Sequence, residues 1–344
     1  MTKVFVGMSG GVDSSLTAAL LKEQGYDVTG VYMKNWTQDL PGMRCPWAED
    51  LADAKRVAVQ LGIDFRVFDF EKEYKQKVVN YMIEEYKLGR TPNPDIMCNQ
   101  EVKFRVFLET ALEQGADMIA TGHYARTKNG ELLRAKDESK DQTYFLYRVD
   151  SPALTKTLFP LGDFLKSEVR EMAKKRGLYT ASKKESMGIC FVGRIGIREF
   201  LSQYVETVPG DIVDKQSGKV LGRHDGAIFY TLGQRHGLNL GGGLPYYVVG
   251  KDMSQNVVYV SQNINDDNIW RRQISLESMH WINDTPRDGD KLQVRIRHRA
   301  PLISCKLQGV SLQLAEPQRA VTPGQSAVIY SGDVCLGGGI VKVE

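Results

Sequence analysis

The stretch Val4-Phe5-Val6-Gly7-Met8-Ser9-Gly10-Gly11-Val12-Asp13-Ser14-Ser15 constrains this chain more than any other. An apolar run leads into a glycine turn, and the turn leads into helically spaced Leu16, Ala19 and Leu20. A buried strand, a glycine loop and a helix start together form a cradle for phosphate. The glycines let the backbone curl and aim N–H groups at an anion. The helix N-terminus adds unpaired donors and partial positive charge, and Ser14 and Ser15 supply hydroxyls for capping or for phosphate. No Lys closes the loop as in G-x-x-x-x-G-K-[ST], which excludes the common nucleoside-triphosphatase loop.

The pattern that follows is an alternation of strand and helix. Residues 27–33 read as a second strand, 48–61 as a helix stopped by Gly62, 65–70 as a third strand, and 102–114 as a helix stopped by Gly115 before the strand 118–120. Tyr74, Val78, Met82 and Tyr86 recur at helical spacing. Such alternation predicts an α/β domain with a parallel sheet, whose ligands collect beyond the strands' carboxyl ends. Ser9–Asp13, Met33 and Thr121-Gly122-His123 should therefore share one mouth. Asn129-Gly130 signals a hairpin within 125–135. After residue 200 turn signals separate short β-type runs at 246–249, 257–260, 292–296 and 327–330. We expect a small mixed or β central domain and then a C-terminal barrel, with limits of 1–200, 201–267 and 268–344.

A chain of 344 residues has room for two or three cores, and a composition of 42% hydrophobic and 25% charged residues is that of an ordinary globular protein. No run approaches the length of a membrane span, and no basic-then-apolar leader opens the chain, so a cytoplasmic location is expected. Five widely spaced cysteines, Cys45, Cys98, Cys190, Cys305 and Cys335, argue for free thiols in a reducing compartment. The absence of a C-x-x-C pair disfavours a zinc ribbon or a thioredoxin-type site. Net charge is only +3, but residues 165–200 hold nine Lys/Arg against four Glu, and 294–306 carry basic residues and no acid. Two basic patches suit a polyanion that touches two regions; on charge alone they could equally be solvated faces.

Two cysteines stand in unusual surroundings. Cys98 follows the stiff Thr91-Pro92-Asn93-Pro94-Asp95 segment, where two prolines argue against helix or central strand. Cys190 lies in Gly188-Ile189-Cys190-Phe191, after the basic stretch. Each taken alone is more often a small buried hydrophobe than a nucleophile.

The glycine loop resembles the SGGxDS loop of the ATP pyrophosphatases, the PP-loop superfamily. The Asn93-Pro94-Asp95 loop with Cys98, Thr121-Gly122-His123-Tyr124, Lys140-Asp141-Gln142-Thr143 and Gly188–Phe191 extend the likeness. So do Tyr230-Thr231-Leu232-Gly233-Gln234, Arg297-His298-Arg299 and Pro323-Gly324-Gln325. In order and spacing these blocks resemble the bacterial tRNA-specific 2-thiouridylases over nearly the whole chain. The resemblance implies an enzyme that adenylates the 2-oxygen of the wobble uridine in tRNAs for Lys, Glu and Gln and replaces it with sulfur.

The same likeness assigns roles. Gly7, Met8, Ser9, Gly10, Gly11, Val12, Asp13, Ser14, Met33 and Gly122 would hold ATP, with Mg²⁺ near Asp13 because a hard cation takes carboxylate and phosphate oxygens. Cys190 would receive sulfur as a persulfide from a donor protein, a cysteine desulfurase or a sulfur relay. Cys98 would act as base, or would attack the persulfide and leave a Cys98–Cys190 disulfide. Lys183, Lys184 and Arg194 could lower the Cys190 pKa if folding brings them near. Asn93, Pro94 and Asp95 would meet the extruded base. His123, Lys140, Asp141, Gln142, Arg297, His298, Arg299 and Gln325 would contact tRNA. An iron–sulfur cluster on Asp95, Cys98 and Cys190 is disfavoured, since two thiolates are too few. Two rivals remain: a small-molecule ligase of the same superfamily, which needs neither paired cysteines nor basic patches, and a non-catalytic tRNA-binding protein, which leaves the intact loop without purpose.

Overall fold

The computed structural model describes residues 1–39, 45–184, 196–241, 243–263, 269–287 and 289–342. Its first layer is a five-stranded parallel sheet in the order β3-β2-β1-β4-β7. The strands are β1 (Lys3–Gly7), β2 (Asp27–Lys34), β3 (Asp64–Asp69), β4 (Met118–Ala120) and β7 (Thr157–Leu158). β1 reads as an unbroken apolar run because both faces are covered: Val4, Phe5 and Val6 are wholly buried. Helix α1 (Val12–Glu23) follows β1, and every residue from Ser14 to Leu21 is buried, so its N-terminus starts deep inside the domain. Helix α2 (Trp47–Leu61) stops at Gly62. The sequence expectations for β2, β3, β4 and α2 hold to within a residue or two.

One segment departs from expectation. The segment Pro94–Met97 is helical: Pro94 stands at the first helical position, where a missing N–H costs nothing, and the Asn93 side chain caps the turn by accepting from the Asp95 N–H at 3.2 Å. The helix then widens to i→i+5 bonding over Cys98–Val106 before resuming as an α-helix over Phe107–Glu113. Wide turns of this kind are rare and concentrate at functional sites.

The central domain is a four-stranded sheet ordered β10-β11-β8-β9. It comprises β8 (Gly210–Asp214), β9 (Val220–His224), β10 (Tyr247–Asp252) and β11 (Val257–Ser261), around a small core containing Ile212, Val248 and Val258. The C-terminal domain closes six strands into a barrel: β12 (Trp270–Trp281), β13 (Leu292–Arg295), β14 (Ile303–Gln308), β15 (Ser311–Arg319), β16 (Ser326–Ser331) and β17 (Val334–Val341). β12 pairs with both β15 and β17, which removes the free edges.

The hairpin signalled by Asn129-Gly130 forms as β5 (Arg126–Lys128) and β6 (Glu131–Leu133), with Asn129 at φ 51°. It leaves its own domain's sheet and pairs with the barrel, Leu132 opposite Cys335 and Leu133 opposite Val334. Leu132, Tyr144 and Tyr147 share one core with Val328, Tyr330 and Cys335. The Tyr144 hydroxyl donates to the Ser326 carbonyl at 2.9 Å.

Candidate functional site

Beyond the carboxyl ends of β1, β2 and β4 lies a cavity of about 310 Å³. Gly7, Met8, Ser9, Asp13, Ser14, Met33, Gly122 and His123 all line it, so residues separated by more than a hundred positions do share one mouth. The glycine loop is braced from within. Ser9 N–H donates to the Ser14 hydroxyl at 3.1 Å, and the Ser14 and Ser15 hydroxyls donate to the Gly11 carbonyl at 3.2 and 2.8 Å. No side chain caps the start of α1, which leaves its first N–H groups for an anion.

Two glycines are needed for stated reasons. Gly10 has φ +72°, and a Cβ there would sit 2.4 Å from the Asp50 carbonyl oxygen. Gly122 lets the end of β4 cross the loop: a Cβ would lie 2.8 Å from the Ser14 backbone nitrogen and 2.9 Å from the Asp13 carbonyl carbon.

The sequence reading missed Lys166. Its ammonium sits 2.7 Å from both carboxylate oxygens of Asp13, and the Tyr124 hydroxyl donates to Asp13 Oδ1 at 3.0 Å. Lys166 opens the helix Lys166–Lys175, whose start is fixed by Glu168 accepting the Leu165 N–H at 2.6 Å. The signal available in the sequence was a basic residue at the head of an amphipathic helix, which does not reveal its partner.

Lys103 was missed as well. It lines the same cavity and stands five residues after Cys98 in the wide helix. Its charge acts on two buried neighbours. Burial raises the Asp95 carboxyl above its ordinary range, with Lys103 opposing. Burial holds His123 well below 6.5, with Lys103 acting in the same direction, so the imidazole is neutral at physiological pH. His123 Nδ1 lies 2.8 Å from Thr121 Oγ1, and its ring packs against Phe104 and Phe159. The Cys98 thiol is buried, 1% exposed, and packs in the hydrophobic core. Cys190 and Arg194 lie outside the described residues.

Several expected tRNA contacts turn inward. Asp141 is enclosed: its Oδ2 pairs with Arg295 at 2.9 Å, and its Oδ1 accepts from the Ala135 N–H and the Thr143 hydroxyl. It is an internal anchor of the 140–143 segment. Gln142 accepts the Tyr124 N–H at 2.9 Å and lines the same cavity as the glycine loop. Arg297 Nη2 donates to the Ala320 carbonyl and the Thr322 hydroxyl. His298 stacks on Phe145 at 4.3 Å, and burial pushes its pKa down to about 4. Gln325 donates its amide to the Thr91 carbonyl at 2.7 Å. Lys183, expected to act on Cys190, pairs with Asp50 and Asp53 at 2.8 and 2.7 Å and so ties its segment to α2. In contrast Lys140 and Arg299 do meet, on the rim of an open cleft of about 810 Å³ that also carries Arg134.

Thr91 joins all three domains. Its N–H donates to the Pro323 carbonyl at 2.9 Å, its carbonyl receives Gln325, and its hydroxyl lies 3.2 Å from that of Thr231. The segment that carries Asn93, Pro94 and Asp95 is thus positioned from the barrel and from the central domain at once.

Three family models cover the chain in succession: a tRNA methyl transferase HUP domain over residues 2–194, a tRNA methyl transferase PRC-barrel domain over 198–262, and an aminomethyltransferase beta-barrel domain over 271–341. The tRNA-specific 2-thiouridylase MnmA of Geobacillus thermodenitrificans is 48% identical over 99% of this chain and 94% of its own length. That of Methylobacillus flagellatus is 48% identical over 98% of both. That of Bacillus subtilis is 47% identical over 99% of this chain and 95% of its own length. With the glycine loop, Lys166-bound Asp13 and Lys103 gathered at one cavity, these full-length likenesses identify the chain as a member of the tRNA-specific 2-thiouridylase family.

Proposed function

We propose that the chain performs ATP-dependent 2-thiolation of the wobble uridine of tRNAs for Lys, Glu and Gln, in two steps at one cavity. A uracil carbonyl is a poor electrophile with a poor leaving group, so its oxygen must first be activated. The 2-oxygen attacks the α-phosphorus of ATP and pyrophosphate leaves. The donors at the start of α1 and the Lys166 ammonium face the charge that accumulates on the phosphates. Asp13 and the phosphate oxygens together form the one-carboxylate donor set Mg²⁺ takes, and a bound ion would neutralise the pyrophosphate. Met33 and Gly122 fit the adenosine end.

The terminal sulfur of a Cys190 persulfide then attacks C2, and AMP leaves with the original oxygen. If Cys98 resolves the intermediate, its thiolate attacks Cys190 Sγ and breaks the S–S bond. Sulfur stays on the base, a Cys98–Cys190 disulfide forms, and an external dithiol must reduce it. If Cys98 is instead a base, an external thiol breaks the Cys190 S–S bond and no Cys98–Cys190 disulfide accumulates. Because the Cys98 thiol is enclosed, either role requires the tRNA-bound enzyme to open that pocket. Asn93, through its helix cap, positions Asp95 toward the base, and neutral His123 supports the cavity wall. Lys140 and Arg299, both lining the open cleft, supply charge for tRNA phosphates. The sulfur comes from a persulfide-bearing partner such as a cysteine desulfurase or sulfur relay, and the enzyme works in the cytoplasm. Among the described residues no helix is long and apolar enough to cross a membrane. Domain limits of 1–200, 201–267 and 268–344 belong to this reading.

The observation that carries the reading is the single cavity shared by the glycine loop, Lys166-bound Asp13 and Lys103 of the Cys98 helix. To test it, tRNA, ATP, a persulfide-bearing sulfur donor and a dithiol are incubated with the protein and the RNA is digested for mass spectrometry. The expected result is 2-thiouridine with stoichiometric AMP and pyrophosphate. Release of ADP, or an unmodified wobble position, would refute it.

A further inference from the structure

A second cavity, about 540 Å³, lies where the three domains meet. Lys251 of β10 and Lys215 reach it from the central domain, Arg271 and Lys342 from the barrel, and Thr91 from the catalytic domain. Its walls include Leu232, Tyr259, Ile274 and Val321. Four cations on a partly apolar wall make a poor resting surface for a protein. Asp252, the one acid among the lining residues, is held in its own turn by the Ser254 N–H, the Ser254 hydroxyl and the Gln255 N–H.

Among the described residues these lysines face no carboxylate partner. The Lys251 ammonium donates to the Tyr230 carbonyl at 2.8 Å, and Lys215 stands 4.5 Å over the Tyr259 ring. Neither these two nor Lys342 forms an ion pair among the described residues. Removing an ammonium from water without a counter-charge is unfavourable, and burial here pushes Lys251 down to about 8. An anion entering the cavity would meet several donors already in place. The size suits one nucleotide.

We propose that this three-domain cavity seats a nucleotide neighbouring the target uridine, with Lys251 and Lys215 holding its backbone phosphodiester. The proposal rests on tRNA being the substrate and specifies where its backbone is gripped. The position argues for RNA rather than a free anion: Thr91 lines the cavity and stands two residues, at most about 7 Å of chain, before Asn93 of the base loop. Thr91 is also where the barrel and central domain are fastened to that loop. A strand gripped in the cavity would therefore run directly onto the base-reading segment, and binding the correct backbone would fix the three-way junction.

The test uses the full-length enzyme with Lys251→Met, Lys215→Ala, the double variant and Lys251→Arg. Thiolation by the unaltered enzyme is measured first. If that fails, the substrate assignment is at fault; if it succeeds, the variants judge the cavity alone. For the double variant, KM for tRNA should rise about 10-fold while KM for ATP stays within twofold. The slope of log affinity against log salt should become shallower by about 1, since each phosphate that the variant no longer neutralises lowers the slope by about 1. Lys251→Arg should restore most of the affinity. Lys215→Ala alters an exposed side chain, so it reports even where Lys251→Met folds poorly. An unchanged salt slope in Lys215→Ala and the double variant overturns the proposal. Titration with inorganic phosphate separates the two sources of anion: tight phosphate binding abolished by the variants, with tRNA binding unaltered, would make this a small-anion site and would also overturn it.

Discussion

Gly122→Ala isolates the contribution of the phosphate loop. Gly122 has no positive φ that an alanine would strain, so the substitution acts through one added methyl group. That group would lie 2.8 Å from the Ser14 nitrogen, about 0.6 Å short of the 3.4 Å at which ordinary contact begins. The opposing atoms are backbone and cannot rotate away; either the loop retreats or the end of β4 does. Overpacking of this size costs about 1–3 kcal/mol. If the strain falls on the loop, the donors at the head of α1 shift away from the phosphates, and ATP affinity falls roughly 5- to 150-fold by the rule of tenfold per 1.4 kcal/mol. Calorimetric titration with ATP and the rate of AMP formation with tRNA would measure this, with thermal unfolding to show that the fold survives. Gly241→Ala, where an added Cβ meets nothing within 4 Å, is the control. An ATP affinity within twofold of the parent for Gly122→Ala would show that the crossing of β4 over the loop does not position the phosphate donors.

Lys166→Met should lower AMP formation by about 100-fold or more while leaving tRNA affinity within a few-fold, with Lys166→Arg intermediate; full activity in Lys166→Met would make the Asp13 pair merely structural. Cys98→Ser and Cys190→Ser should each abolish 2-thiouridine formation with tRNA binding retained, and normal product from either variant would refute their roles. Arg295→Met leaves Asp141 enclosed without its counter-ion, so urea unfolding should show a loss of about 3–5 kcal/mol, partly recovered in Arg295→Met with Asp141→Leu; a loss under about 1 kcal/mol would contradict the anchor role. Acid should destabilise the fold before the carboxylates protonate. Burial lowers His123, His224, His280 and His298, the last to about 4, so the unfolded chain binds more protons than the fold below pH 6.5 and stability falls from there downward. The raised carboxyls Asp95 and Glu85 act in the opposite sense. The urea midpoint should drop between pH 7 and 5, and His298→Phe should flatten that drop; an unchanged slope would show that His298 titrates normally.

Much of the scaffold could be read from the chain because its signals are local. The apolar run of β1, Gly62 after α2, and Asn129-Gly130 each act within a few residues. The phosphate mouth was also legible, since a parallel sheet dictates where strand ends converge. What escaped depends on distant pairing. Nothing adjacent to Lys166 announces Asp13, and nothing near Arg295 announces Asp141. The helix at Pro94 runs against the two prolines' breaker signal because proline is permitted at the first helical position. Gln325, Arg297 and Asp141 stand in the motif positions expected of tRNA contacts, yet their polar atoms hold other parts of the protein. A motif marks that a residue matters; it does not distinguish touching the substrate from shaping the surface that does.

The hairpin that crosses from the catalytic domain onto β17 bears on how the chain can be divided. Cutting after the catalytic domain would strip Leu132 and Tyr144 of their cover and uncap a sticky β margin, inviting aggregation. Domain-by-domain dissection would thus create insolubility that mimics loss of catalysis, and the smallest sound unit for genetic complementation is the intact polypeptide.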